Sequence, residues 1–262
     1  MESGPPGAIT SDFAGPPAGS AVAPSHGMSG FAPVPAPACE EALDPDGRGT
    51  CPVTPESTPP TGLGPGVDDL VRKSPTLRAS VAALVDLGWS FMYGELAPLP
   101  GGYTDEPNKL IVLDASRRED PVMALQTLSH EVGHALYQMP PEIPMDGLGR
   151  EDFIEQNFRR DQMNEGEAIL TQLEIRQEIL DATGGAMLDT GVDIGISGGA
   201  DALYLDAFEN APFDDRDALR LELGQIQSAN EVTGTTLQPY EDFYSEQYAT
   251  KWDDAHDWWP FW

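Results

Sequence analysis

The sequence predicts an α+β fold, mainly helical, with a short β-sheet and a Pro/Gly-rich arm in front of it. Three observations carry that expectation. Apolar residues recur at helical spacing behind cap-and-proline starts, as at Ser74-Pro75 and Asp120-Pro121. One continuous apolar run, residues 109–114, has the length and flanking turn signals of a buried strand. Composition changes near residue 66: more than half of the 25 prolines precede it, among frequent Gly, Ala and Ser, with Arg48 as the sole basic residue.

An arm of that composition cannot bury enough apolar surface to offset the entropy of ordering, so residues 1–66 are expected to be disordered. His26 lies in it and reads as a solvated bystander; a tether joining the domain to a carrier is the functional alternative. Residues 67–262 are expected to form the folded domain, with its core in 70–185 and an acidic, helical C-terminal part in 186–262.

The elements follow in order. Behind Ser74-Pro75, Leu77, Val81, Leu84 and Val85 make a helical apolar face that Gly88 ends. Residues 89–93 are an aromatic-rich strand candidate, and Pro100-Gly101-Gly102 marks a turn. The run 109–114 is the clearest strand, either core support or an edge that could bind an extended peptide. Asp120-Pro121 starts a helix whose stripe is Met123, Leu125, Leu128, Val132, Ala135 and Leu136, and Met139-Pro140-Pro141 stops it. A Pro-rich loop, 139–149, leads to a helix over 150–160. A second helix opens at Asn164 and runs to about Ala182, where Thr183-Gly184-Gly185 stops it. Further helices are expected over 201–209, 216–230 and 239–253. The aromatic end, Trp258-Trp259-Pro260-Phe261-Trp262, either docks on its own domain or meets a partner.

Charge narrows the function. With 44 Asp+Glu against 14 Lys+Arg, the 262-residue chain carries a formal net charge of -30. Nucleic acid and anionic membrane surfaces are therefore poor partners, since phosphate binding needs basic patches. No stretch approaches eighteen consecutive apolar residues, so no transmembrane segment is expected. The start lacks the basic and apolar regions of a secretory signal, which implies the cytoplasm of the producing cell or delivery by a signal-independent secretion system. Cys39 and Cys51 could form a disulfide but do not establish an oxidising compartment, and they lack the C-x-x-C spacing of a zinc site.

The chemistry concentrates in His130-Glu131-Val132-Gly133-His134, an H-E-x-x-H pattern inside the helix that starts at Asp120. Positions i and i+4 share a helix face, so both imidazoles can reach one metal ion. Glu131 then stands beside the metal, where a water whose pKa zinc lowers to about 7 would lose its proton to the carboxylate. Gly133 costs about 1 kcal/mol against Ala in a helix, which a close approach by another backbone would explain. Catalytic zinc takes three protein ligands and keeps one open position. His26 sits in the arm and His256 is remote, so a carboxylate from a following helix is the simpler third ligand; Glu165 and Glu167 are both available.

Residues 128–136 resemble the zinc helix of gluzincin-type metallopeptidases, and Asn164-Glu165-Gly166-Glu167-Ala168 is similar to their Asn-Glu third-ligand motif. Aminopeptidases of that class carry Asn-Glu-Gly-aromatic-Ala with the first Glu on the metal. The resemblance therefore puts Glu165 on zinc and leaves Glu167 beside it. It covers about residues 70–185 and implies a zincin-like domain. It departs in two places. The stretch from His134 to Glu165 is longer than in the best-known members and must fold into an added loop or helix. Four residues after Glu165 stands Ile169, where some members place an acid that orients a zinc histidine. The metzincin pattern needs a third His soon after the motif, and none follows. The layout also resembles metallopeptidase domains of bacterial polymorphic toxins and secretion-system effectors, which would add an immunity or inhibitor protein, or a delivery carrier, as partner.

The function these expectations describe is zinc-dependent hydrolysis of a peptide or protein substrate. His130, His134 and Glu165 would hold Zn2+, with Glu131 as general base and then acid. An oxyanion-stabilising donor is still required; Tyr103, Tyr240, Tyr244 and His256 are the candidates. The rival readings are a zinc-holding interaction module without catalysis, which has no need of Glu131, and a zinc amidase acting on peptidoglycan.

Overall fold

Local signals start two of the helices where the sequence places them. Ser74 Oγ accepts from Leu77 N at 2.9 Å, and Asp120 Oδ1 accepts from Val122 N and Met123 N at 3.1 Å each. The computed structural model describes residues 55–96, 101–185, 200–211, 215–233 and 236–256. Within them lie α1 (Pro65–Val71), α2 (Pro75–Asp86), β1 (Ser90–Gly94), β2 (Gly102–Asp105), β3 (Leu110–Asp114), α3 (Pro121–Leu136), α4 (Arg150–Ala182), α5 (Asp201–Asn210), α6 (Arg216–Asn230) and α7 (Tyr240–His256). The mainly helical α+β class is as expected. No helix among the described residues is long and apolar enough to cross a membrane. His26, Cys39, Cys51 and the aromatic end 258–262 lie outside the described residues.

The sheet has the order β1-β3-β2, with β1 parallel and β2 antiparallel to β3. In register, Ser90 pairs with Leu110 and Gly102 with Leu113. This corrects the expectation that residues 109–114 could offer an edge to a peptide. β3 is the central strand, paired on both sides, with Ile111, Val112 and Leu113 buried. The edges are β1 and β2. β2 falls where the sequence signals only a turn, because Gly-Tyr-Thr-Asp is short and lacks an apolar run.

Two apolar clusters share one helix. The first joins α1, α2, β3 and α3 through residues such as Val71, Leu77, Leu84, Ile111, Leu125, Leu128 and Val132, and takes Ile175 and Ile179 from α4. The second joins α5 and α6 through Tyr204, Leu219 and Leu223 and takes Ile169, Leu170 and Leu173 from α4. The two helices expected over 150–160 and from Asn164 are thus a single 33-residue helix. Its middle is polar for a reason: Asp161 Oδ2 accepts from the Tyr248 hydroxyl at 2.7 Å, and Gln162 donates to Ser228 Oγ at 3.3 Å. These buried groups are paired with α6 and α7, so the break in apolar periodicity does not break the helix. Residues 139–149 take up the long connection between α3 and α4, and Asn157 pins them with hydrogen bonds to both Ile143 N (2.9 Å) and Ile143 O (3.1 Å).

The start of the packed chain also needs correction. The boundary expected at residue 66 is late, since Leu63 is buried in the first cluster and Thr61 N and Oγ1 both donate to Asp68 Oδ1. Prolines at 59, 60 and 65 mask this segment's role, because it reads as more of the arm by composition alone.

Candidate metal centre

The site forms where α3 meets α4. Gly133 makes the meeting possible, because a Cβ on it would stand 2.5 Å from Ala168 Cα. The close approach inferred from the cost of a helical glycine is therefore present, and the other backbone is α4. A second crossing fixes α4 on its far side: a Cβ on Gly166 would meet Arg220 O, and one on Gly224 would meet Gln162 O, both well inside contact distance. α4 is thereby held between α3 and α6, with Glu165 pointing at the histidines.

The three ligand candidates converge. The Nε2 atoms of His130 and His134 are 3.1 Å apart, and Glu165 Oε2 lies 3.7 Å from the first and 3.6 Å from the second. Two zinc ligands at 2.0–2.1 Å in a tetrahedral shell stand roughly 3.3 Å apart, so the donor set fits an ion of that kind. Burial holds the His134 imidazole well below its ordinary value, to about 4, against the pull of Glu165. A neutral imidazole is the metal-binding form. Burial pushes the Glu165 carboxyl up, but the two imidazoles and the Gln227 hydrogen bond outweigh it and hold the group low, in its ligating anionic form. His130 and Glu165 are each 2 % exposed. The three could hold a metal ion.

Glu131 is fully buried on the same turn of α3, and its Oε2 accepts from Thr104 Oγ1 at 2.8 Å. β2 supplies this contact. Gly102 on the same strand leaves room for Thr127 and Glu131, whose atoms a Cβ there would strike or touch. A cavity of about 180 Å³ opens over the site, lined by Tyr103, Thr104 and Glu106 beside Glu131 and His134, and by Asn164, Glu165 and Tyr244.

Of the remaining candidates, Glu167 turns away from the histidines. It pairs with Arg220 Nε at 2.7 Å and Arg216 at 3.0 Å, which ties α4 to α6. His256 is exposed at the end of α7, bonded to the Trp252 carbonyl and stacked on the Trp252 ring. Tyr240 is fully buried in the interior and does not line the cavity. Tyr244 lines it, but its hydroxyl donates to Glu165 Oε1 at 2.8 Å. Tyr103 lines it from β2. Sequence reasoning missed Thr104, because β2 was missed, and Gln227, whose Nε2 donates to Glu165 Oε2 at 3.1 Å. The legible signal for Gln227 was the pair Gly166 and Gly224, two helix-interior glycines that mark a close crossing.

No family model, curated protein or solved structure matches the chain.

Proposed function

We propose that the chain is a zinc-dependent metallopeptidase with a zincin-like domain, acting on a peptide or protein substrate. One observation carries the reading: His130, His134 and Glu165 converge to ligand spacing, and His134 and Glu165 line a cavity that the Glu131 carboxylate also lines. A site that served only to staple the fold would have no use for a buried carboxylate beside its ligands. Zinc held there would act as a Lewis acid on the scissile carbonyl and on a water.

The chain's own residues do the rest. Glu131 takes a proton from the attacking water as its oxygen bonds to the carbonyl carbon, and returns a proton to the amine as the C–N bond breaks. Thr104 fixes the rotamer of that carboxylate. Tyr103 is the best placed of the four oxyanion candidates, since it lines the cavity and Tyr244 spends its single O–H on Glu165. An extended substrate can add to the outer edge of β2 by main-chain hydrogen bonds, with Tyr103 and Thr104 already at the cavity wall.

The test is Glu131→Gln, at matched zinc content, against wild type in proteome-wide cleavage mapping. Gln keeps the volume but cannot accept a proton, so hydrolysis should fall about 10²–10⁴-fold while zinc affinity holds. Glu165→Gln is the control that loses activity through loss of metal. Zinc-bound Glu131→Gln with wild-type hydrolysis would remove catalysis from the reading.

A further inference from the structure

The two oxygens of Glu165 are held by different helices. Gln227 Nε2 on α6 donates to Oε2 at 3.1 Å, and the Tyr244 hydroxyl on α7 donates to Oε1 at 2.8 Å. Oε2 is the oxygen that faces both histidines. Gln227 is 1 % exposed, so water does not replace it. The last torsion of a glutamate is broad and nearly two-fold, and left to itself this carboxylate could offer either oxygen, or both, to an ion. One donor on each oxygen removes that freedom.

The donors are themselves fixed. Gln227 follows Gly224 by one turn, so the backbone contact between Gly224 and Gln162 sets its height along α4. The Tyr244 ring is enclosed by Phe158, Tyr240 and Phe243, with ring centres 6.4, 5.9 and 5.4 Å away. Neither residue belongs to the ligand motifs, and both lie far beyond them in the chain.

We infer that Gln227 and Tyr244 are positioning residues that clamp Glu165 as a one-oxygen ligand, Oε2 toward the ion and Oε1 held back. The acidic C-terminal helices thereby set the affinity and geometry of the metal centre. This rests on the reading of His130, His134 and Glu165 as ligands.

The experiment measures zinc affinity by chelator competition, and the visible absorption of the cobalt(II)-loaded protein, in full-length variants. Tyr244→Phe removes only the hydroxyl and keeps the ring packing. Gln227→Met keeps the volume and removes the donor. Tyr248→Phe is the control: it sits on the same helix, but its hydroxyl serves Asp161. Tyr244→Phe and Gln227→Met should each weaken zinc binding by about 10–100-fold and alter the cobalt spectrum, as lost outer partners of metal ligands do. Tyr248→Phe should leave both unchanged. Folded Tyr244→Phe and Gln227→Met proteins with zinc affinity within about twofold of wild type and a wild-type cobalt spectrum would overturn the clamp. If Gln227→Met fails to fold, Tyr244→Phe decides alone. Glu165→Gln separates the two levels of the claim. Loss of metal in it with no effect in Tyr244→Phe sinks the clamp and leaves the ligand set standing. Wild-type affinity in it, or no metal bound by wild type, sinks the ligand set and the clamp together.

Discussion

Gly133→Ala is the smallest change that tests how the site is built. The new methyl would stand 2.5 Å from Ala168 Cα and 3.2 Å from both Ala168 N and Glu167 O. These are backbone atoms, so no rotamer change relieves the contact. Reaching an ordinary 3.4 Å separation requires α3 and α4 to part locally by about 0.9 Å. Glu165 lies one turn before Ala168 on α4, and its carboxylate would move by a similar amount. Metal–ligand distances tolerate only about 0.2 Å, so zinc affinity should fall by at least 10–100-fold, the range seen when a ligand loses its support. Stability should change much less. Overpacking costs about 1–3 kcal/mol, and replacing a helical glycine by alanine returns about 1 kcal/mol, which leaves a net loss of about 0–2 kcal/mol. Thermal unfolding of metal-free protein and zinc competition on the same preparations would separate the two effects. A Gly133→Ala protein that is more stable by about 1 kcal/mol and binds zinc like wild type would refute the contact and the account of the site drawn from it.

Two other predictions follow from buried groups. Asp161 is 5 % exposed, and burial raises its pKa from 3.8 to about 6 despite the Tyr248 hydrogen bond. The folded state thus binds this proton more tightly than the unfolded one, and its contribution to stability should fall as pH rises from about 4 to about 6, by on the order of 3 kcal/mol. Because burial holds His134 low and adds an opposite slope in both proteins, the quantity to follow by denaturant unfolding of metal-free protein is the stability of wild type minus that of Asp161→Asn, which should fall across that window; parallel pH profiles would contradict it. Truncation tests the start of the domain. The composition of residues 1–54 predicts that their removal leaves the melting temperature and metal content unchanged. Removing 1–66 also strips the buried Leu63 and the Thr61 bonds to Asp68, at a cost of about 1.5–3 kcal/mol for the leucine alone. Equal melting temperatures for the two truncations would put Leu63 outside the core.

What was legible in the sequence was whatever a local rule encodes. Ser74-Pro75 and Asp120-Pro121 fix helix starts by hydrogen bonds within three residues, and the i, i+4 spacing of His130 and His134 is a property of one helix. Gly133 could be read as a close approach because a helical glycine is costly unless something needs the space. What escaped depends on partners distant in the chain. The middle of α4 looked like a break because Asp161, Gln162 and Glu165 are polar, and their partners Tyr248, Ser228, Gln227 and Tyr244 come from helices that follow much later. β2 escaped because four residues with one small and two polar side chains become a strand only through pairing with β3. Glu165 and Glu167 could not be told apart by position alone. The ion pairs of Glu167 with Arg216 and Arg220 separate them.

The uninterrupted course of α4 makes that helix a ruler. One turn near its centre carries Glu165 to the histidines, the next carries Leu170 and Leu173 into the second apolar cluster, and the last carries Ile175 and Ile179 back into the first. Each residue advances the helix by about 100°, so one residue inserted or deleted between 165 and 175 would rotate one set of these side chains out of phase with the others. Length changes that the 139–149 connection can absorb are barred within this segment. Chains descended from this one are therefore free to vary how they reach α4, but not the count of residues along it.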